Sequence, residues 1–155
     1  MMEQLDLVAM GGTFDVIHDG HMALLRKSFL ISSKVIIGLS SDQLAAKRGK
    51  NLTNDYSKRL SLLKSVIEKN FPNSSYEVSK LENDFGPAVI EDSMKALVVS
   101  EETSDKGLRL NELRAKQNLP PVEIVVVPMV LAKDGKAISS TRIKNSEIDI
   151  NGNLN

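Results

Sequence analysis

Short β-branched runs recur along the chain at residues 5–10, 35–39, 96–99 and 123–127, with a weaker one at 76–81. The first four are close to continuously apolar, as strands are when helices cover both faces of a parallel sheet. Longer stretches of helical period lie between them. Residues 20–31 carry Ala23, Leu24, Phe29 and Leu30 as a recurring apolar set, and residues 56–71 place Leu60, Leu63, Val66 and Ile67 on one stripe. Pro72 ends the second of these helices. A further helix is expected over 108–117 with Leu110 and Leu113 inward, after which Pro120-Pro121 forces an extended entry to the next strand. A last helix is expected to begin near Ser140. This alternation is the pattern of βαβ units, so the expected class is α/β: a Rossmann-like, doubly wound sheet of about five parallel strands.

Residues 1–147 read as a single domain, with no repeat and no internal linker. The polar stretch 148–155, rich in Asn and Asp, is expected to fray. Residues 46–55, which include Lys47, Arg48, Gly49 and Lys50 and little that is apolar, read as a mobile basic loop after the second strand.

The chain has 155 residues, 41% hydrophobic and 26% charged, as single globular domains do. Its 20 Lys and Arg balance 20 Asp and Glu, so no overall field draws a nucleic acid or an anionic membrane, and neither is an expected partner. Any phosphate binding must be local. Without cysteine there are no disulfides, thiolate zinc sites or cysteine nucleophiles. The longest apolar run, 124–132, is interrupted by Pro128 and too short to span a bilayer, and the start Met1-Met2-Glu3 lacks a signal peptide's basic region. A soluble, cytoplasmic protein is expected.

The chemistry concentrates where the first strand meets the first helix, at Met10-Gly11-Gly12-Thr13-Phe14-Asp15-Val16-Ile17-His18-Asp19-Gly20-His21. Paired glycines at the carboxyl end of a strand allow a tight turn and a close ligand approach, and a following helix start offers N–H groups to an anion. A phosphate suits such a place, which is also where open α/β sheets bind ligands. His18 and His21 are the two histidines of the chain, and their spacing of three puts both on one side of the helix start. They are read as donors to phosphate oxygens; the alternatives are a helix cap with a surface or core residue, or a metal pair helped by Asp15 or Asp19. The glycines match neither the dinucleotide fingerprint nor the P-loop.

The segments Gly12-Thr13-Phe14-Asp15 and His18-Asp19-Gly20-His21 resemble the first signature of the nucleotidylyltransferase superfamily. Ile138-Ser139-Ser140-Thr141-Arg142 resembles the second, in the expected place near the end of the chain. Physical chemistry supports the second segment too, because Ser139 or Ser140 makes a good N-cap that leaves hydroxyls and N–H groups facing an anion, with Arg142 as an added cation. An ordinary Ser-capped helix with a surface arginine is the alternative. The block Val98-Val99-Ser100-Glu101-Glu102-Thr103, with Gly107, Asn111 and Arg114, is similar to phosphopantetheine adenylyltransferases of the archaeal and eukaryotic type, as are Leu39-Ser40-Ser41-Asp42 and Tyr56-Ser57-Lys58-Arg59. It departs from the bacterial type in that block and in carrying His18 where threonine is usual.

The resemblance implies a nucleotidylyltransferase fold and transfer of AMP from ATP to 4′-phosphopantetheine, giving dephospho-coenzyme A and pyrophosphate on the route to coenzyme A (CoA). The acceptor phosphate attacks in line, without a covalent intermediate, so the protein's task is to position anions and stabilise developing charge. Glycerol 3-phosphate with CTP, or FMN with ATP, are the alternative substrates, and a non-catalytic nucleotide-binding protein is the alternative of another class. By resemblance, His21 contacts the α-phosphate, His18 the triphosphate, and Thr13 bridges both phosphates beside Gly11, Gly12 and Phe14. Ser139, Ser140, Thr141 and Arg142 bind nucleotide phosphates. Either Lys47 or Lys50 neutralises the reacting groups, and Arg59 and Arg114 are candidates for the acceptor or for orienting helices. Mg²⁺ is expected, held mainly by substrate phosphates, with Asp15 either near a hydrated metal or holding the glycine turn through backbone amides. The oligomeric state is read as a monomer or a small homo-oligomer.

Overall fold

The computed structural model describes residues 4–89 and 91–155. Residues 1–3, the first half of the stretch 1–6 on which the signal-peptide reading rests, lie outside it. Five strands form one parallel sheet: β1 (Val8–Gly12), β2 (Val35–Ser40), β3 (Tyr76–Leu81), β4 (Ala96–Ser100) and β5 (Glu123–Val127). Their spatial order is β3-β2-β1-β4-β5. The chain therefore winds outward from β1 in one direction and then crosses back to wind in the other, which is the doubly wound arrangement expected from the pattern.

Among the described residues, helices α1 (Asp19–Ile31), α2 (Asp42–Lys47), α3 (Tyr56–Asn70) and α4 (Asp105–Lys116) lie between strands, and α5 (Ser140–Lys144) follows β5. Alternate strand residues face opposite sides. Val8, Met10, Val35, Ile37 and Leu39 pack with Leu25 of α1 and with Leu63 and Ile67 of α3. Leu7, Ala9, Ile36, Leu97 and Val99 pack on the other face with Leu110 of α4. No helix among the described residues is long and apolar enough to cross a membrane.

The strand register opens a crevice. β1 pairs with β2 along all five of its residues, from Val8↔Val35 to Gly12↔Leu39, but with β4 only at Val8↔Ala96 and Ala9↔Leu97. Beyond Ala9 the carboxyl ends of β1 and β4 part, at the point where strand order reverses and ligands enter such sheets.

Three local expectations differ from the structure. Residues 42–47 form helix α2, capped by Ser41, whose Oγ accepts the Leu44 N–H at 3.0 Å, so Lys47 ends a helix instead of lying in a loop. Helix α4 starts at Asp105 rather than near residue 108, because its first three residues carry no large apolar side chain to mark it. The polar tail does not fray. Ile148 is 1% exposed, Ile148 and Leu154 pair as an antiparallel bridge, and Asp149 holds the turn by accepting the N–H groups of Asn151 and Asn153. The Ile150 carbonyl then accepts the Asp19 N–H at 3.1 Å, so the tail braces the start of α1.

Candidate functional site

A cleft of about 940 Å³ lies over the parted ends of β1 and β4. Its walls are the turn after β1, the start of α1, residues 48–52, the ends of β4 and β5, and the start of α5. Its volume suits a nucleotide with a second substrate.

The turn is built around Phe14. Its backbone lies in the left-handed region (φ 52°), an uncommon place for a bulky residue. Neither Gly11 nor Gly12 has positive φ; both extend β1, so glycine serves close packing here. A Cβ on Gly12 would stand 3.0 Å from the Phe14 ring, which is buried to 1% exposure and stacks on His21 with centroids 4.8 Å apart. Two neighbours hold the strained residue by the carbonyls on either side of it. Arg59 Nη1 donates to the Thr13 carbonyl at 2.9 Å, and Asn54 Nδ2 donates to the Asp15 carbonyl at 3.0 Å.

His18 is the N-cap of α1. Its Nδ1 accepts the Gly20 N–H at 3.0 Å, while Nδ1 of His21 accepts the His18 N–H at 3.2 Å. The two rings lie 4.0 Å apart, and a Cβ on Gly20 would stand 2.8 Å from His18 Cε1, so glycine leaves that ring its place. Because each Nδ1 accepts, each neutral ring carries its proton on Nε2. Burial holds His18 near pKa about 4, and burial together with nearby His18 and Lys50 holds His21 at about 3. Both rings are thus neutral N–H donors until an anion arrives. The helix start itself does less than expected: the Asp19 and Gly20 N–H groups are already bound, to Ile150 and His18.

Asp15 is a buried hub. Its carboxylate accepts the N–H groups of Thr53 at 2.8 Å and Asn54 at 2.9 Å and pairs with Lys144, whose Nζ also donates to the Asn51 carbonyl at 2.7 Å. Burial pushes the carboxyl up, but the Lys144 ammonium and the two backbone N–H groups outweigh it and leave Asp15 below the usual carboxylate range. The amides it holds belong to the loop 51–54 rather than to the glycine turn.

At the second motif, Ser139 is the N-cap of α5, accepting the Arg142 N–H at 3.2 Å, and Ser140 Oγ donates to the Val16 carbonyl at 3.2 Å. Ser139, Ser140 and Thr141 line the cleft together with Thr13. Arg142 does not; it pairs with Asp134 and Glu147 and donates to the Ala137 carbonyl, bracing the turn before α5.

The remaining predicted cations divide. Lys50 lines the cleft near His21, whereas exposed Lys47 at the end of α2 does not. Arg59 is fully buried and away from the cleft, bound to the carbonyls of Thr13, Ser40 and Asn54 and to Asp42 at 2.7 Å. Arg114 is also fully buried, donating to the carbonyls of Pro120, Ala88 and Glu91. Neither arginine, each a candidate for the acceptor or for orienting helices, is brought to the cleft, and both donate to backbone carbonyls.

Arg48, Lys106 and Lys144 line the cleft without having been singled out from the sequence. The signature resemblance stops two residues short of Lys144, and Lys106 sits in the helix turn that periodicity missed. Among the described residues, neither histidine ring is hydrogen-bonded to a hydroxyl or a carboxylate, so there is no activated nucleophile of the serine–histidine kind. The assembly is one of neutral N–H donors, hydroxyls and cations, suited to holding phosphates and the charge that grows between them.

Residues 9–146 match the cytidylyltransferase-like family. The chain belongs to that family. Among its relatives is a phosphopantetheine adenylyltransferase of Methanosarcina acetivorans, 43% identical over 95% of this chain and 94% of its own length. Another protein of that name, from Methanopyrus kandleri, is 37% identical over 92% of this chain and 90% of its own. A solved structure from Archaeoglobus fulgidus, described as a protein of unknown function, superposes with a TM-score of 0.71 at 29% identity, covering 77% of this chain and 87% of that one. The cytidylyltransferase-like match takes in both the stretch from Gly12 to His21 and the Ser139, Ser140 and Thr141 side of the cleft.

Proposed function

We propose that this cytidylyltransferase-like chain transfers AMP from ATP to 4′-phosphopantetheine, forming dephospho-CoA and pyrophosphate. What carries the reading is that archaeal relatives bearing the name phosphopantetheine adenylyltransferase align with 92–95% of the chain. The cleft suits the chemistry. An oxygen of the acceptor phosphate forms the new bond to the α-phosphorus of ATP, and the bond from that phosphorus to the bridging oxygen breaks, with pyrophosphate taking the electron pair. Negative charge builds on the α-phosphoryl oxygens, where the Nε2–H of His21 donates, with His18 and Lys50 on the adjoining phosphates. Thr13, Ser139, Ser140 and Thr141 add hydroxyls. The reaction needs no general base, because the attacking phosphate is already anionic.

Mg²⁺ belongs in this reading as the companion of ATP. Among the described residues no group of three or more His, Asp or Glu is gathered for a metal, and the Asp15 carboxylate is taken up by Lys144, Thr53 and Asn54. When bound with the triphosphate, Mg²⁺ would neutralise charge on the departing pyrophosphate. A cytoplasmic location and a monomer or small homo-oligomer complete the reading.

The test is pyrophosphate release by the purified protein with Mg²⁺, comparing ATP plus 4′-phosphopantetheine with CTP plus glycerol 3-phosphate and ATP plus FMN. Release with phosphopantetheine alone is expected. Release with another pair would replace the acceptor, and none with any pair would favour a non-catalytic nucleotide binder.

A further inference from the structure

Lys50 reaches His21 from a segment that has no apolar anchor. Residues 46–55 contribute no side chain to the three apolar clusters of the fold, so polar contacts fix their path beside the cleft. Lys50 is itself exposed and follows Gly49, whose φ of 74° turns the chain out of α2. Its N–H donates to the Ala45 carbonyl at 3.0 Å, which ties it to that helix. On its other side the next carbonyl, that of Asn51, accepts Nζ of Lys144, and the N–H groups of Thr53 and Asn54 go to the Asp15 carboxylate.

Asp15 and Lys144 close this arrangement by pairing with each other across 129 residues of chain. Asp15 comes from the turn that carries Thr13, and Lys144 from the helix whose start carries Ser139 to Thr141. A single ion pair therefore joins both phosphate-facing elements to the segment that follows Lys50. A buried ion pair is a weak source of stability, because desolvating two charges offsets most of their attraction. What this one supplies is geometry. Charge-assisted hydrogen bonds are short and directional, and they hold at a set distance a segment that packing leaves free.

We propose that Asp15 and Lys144 are positioning residues for the transfer: their pair braces residues 51–54 and so sets Lys50 against His21 before substrates bind. The inference rests on the proposed AMP transfer, in which Lys50 and His21 meet the phosphates. Neither Asp15 nor Lys144 touches a phosphate in this arrangement.

The test combines kinetics with amide hydrogen exchange on the ligand-free protein, in wild type, Asp15→Asn, Lys144→Met, Lys50→Ala and the Lys144→Met, Lys50→Ala double variant. Lys144→Met leaves both oxygens of Asp15 in place, yet the amides of Thr53 and Asn54 should exchange about tenfold faster or more in it, with the amides of β2 unchanged. That pattern separates local release from loss of the fold. Asp15→Asn and Lys144→Met should each lower kcat/KM by about tenfold or more. Once Lys50 is alanine, Lys144→Met should cost less than about twofold, because the brace then has no cation to place. Multiplying losses in the double variant would overturn the link to Lys50. A Lys144 that binds phosphate directly would give opposite shifts, KM for ATP rising in Lys144→Met and falling in Asp15→Asn, and that result would overturn the brace. So would unchanged exchange at Thr53 and Asn54 in Lys144→Met. A wild-type protein that releases no pyrophosphate refutes the proposed function instead, and the exchange comparison still decides the brace.

Discussion

His18 and His21 cap the same helix by reciprocal bonds, each Nδ1 taking a backbone N–H, which leaves both Nε2–H groups as the free ends of the rings. A capping box of this kind is ordinarily made by Ser or Thr with Glu. Here the same geometry fixes a tautomer, so a helix start serves both folding and phosphate chemistry. Replacing His21 by Ala is expected to lower kcat by about 10²–10³, the loss typical of one removed transition-state donor, with KM for ATP changing far less. Steady-state kinetics on His21→Ala checks this, and unchanged turnover would remove His21 from the chemistry.

The same two rings set a pH dependence. Their folded pKa values, about 4 and about 3, lie below the ordinary 6.5, so the unfolded chain binds more protons in between. Stability from neutral burial is therefore complete above about pH 6.5 and is lost as pH falls towards 4 and then 3. The melting temperature should drop on acidification from pH 7 to 4.5, and the drop should shrink in a His18→Gln, His21→Gln double variant. Saturating ATP should reduce the drop as well, because bound phosphates favour the protonated rings.

The phosphate-facing machinery was far more legible in the sequence than the frame behind it. Gly12 to His21 and Ser139 to Thr141 are contiguous, and their residue types report directly on anion contact. Arg59 and Arg114 read as phosphate ligands because a sequence does not record which way a guanidinium turns; each instead satisfies three carbonyls, two of them on segments distant in the chain. Lys47 and Lys50 were indistinguishable until helix α2 placed one outside the cleft and the turn after it brought the other inside. The inner strands β1, β2 and β4 were readable because burial on both faces leaves continuous apolar runs, and the edge strand β3, where only Leu81 is buried, gave a weaker run; the first three residues of α4 have no large apolar side chain to announce it. The tail misled by composition: Ile148 is its buried apolar side chain, and the surrounding Asn and Asp build its turn.

Arg59 ties the turn bearing Thr13 to β2 and α2. Arg59→Met would strand the buried carbonyls of Thr13 and Ser40, at a cost of about 1–3 kcal/mol each in unfolding free energy, while Asp42, half exposed, is left to water. Urea titration measures this. A loss under about 1 kcal/mol would mean that water replaces the guanidinium and that the frame is softer than its burial implies.

Lys50 and Lys47 differ in place and should differ in effect. Lys50→Ala removes a cation lining the cleft beside His21 and is expected to reduce kcat/KM by about tenfold or more, whereas Lys47→Ala removes an exposed helix-end charge and should stay within about twofold of wild type. Equal losses from the two would make the segment a diffuse field of positive charge rather than a placed residue.

Removing residues 148–155 tests whether the polar tail is part of the folded unit. The deletion takes away the buried Ile148, the Gly152 carbonyl that accepts the Lys133 N–H at 2.9 Å, and the Ile150 carbonyl that accepts the Asp19 N–H beside the histidine cap. Burial of one isoleucine contributes about 1.5–3 kcal/mol, and the lost hydrogen bonds about 1 kcal/mol each, partly offset by water. For a chain of 155 residues such a loss lowers the melting temperature by about 5–10 °C. Because the Asp19 N–H follows directly on His18, the truncated protein should also lose turnover at temperatures well below its melting point. Adding the missing eight residues as a peptide offers no rescue unless it refolds the Ile148–Leu154 bridge, so the decisive comparison is Ile148→Ala in the full chain. If that single substitution lowers both the melting temperature and the turnover, the tail acts through its one buried anchor. If neither moves, the packing of Ile148 does not support the start of α1.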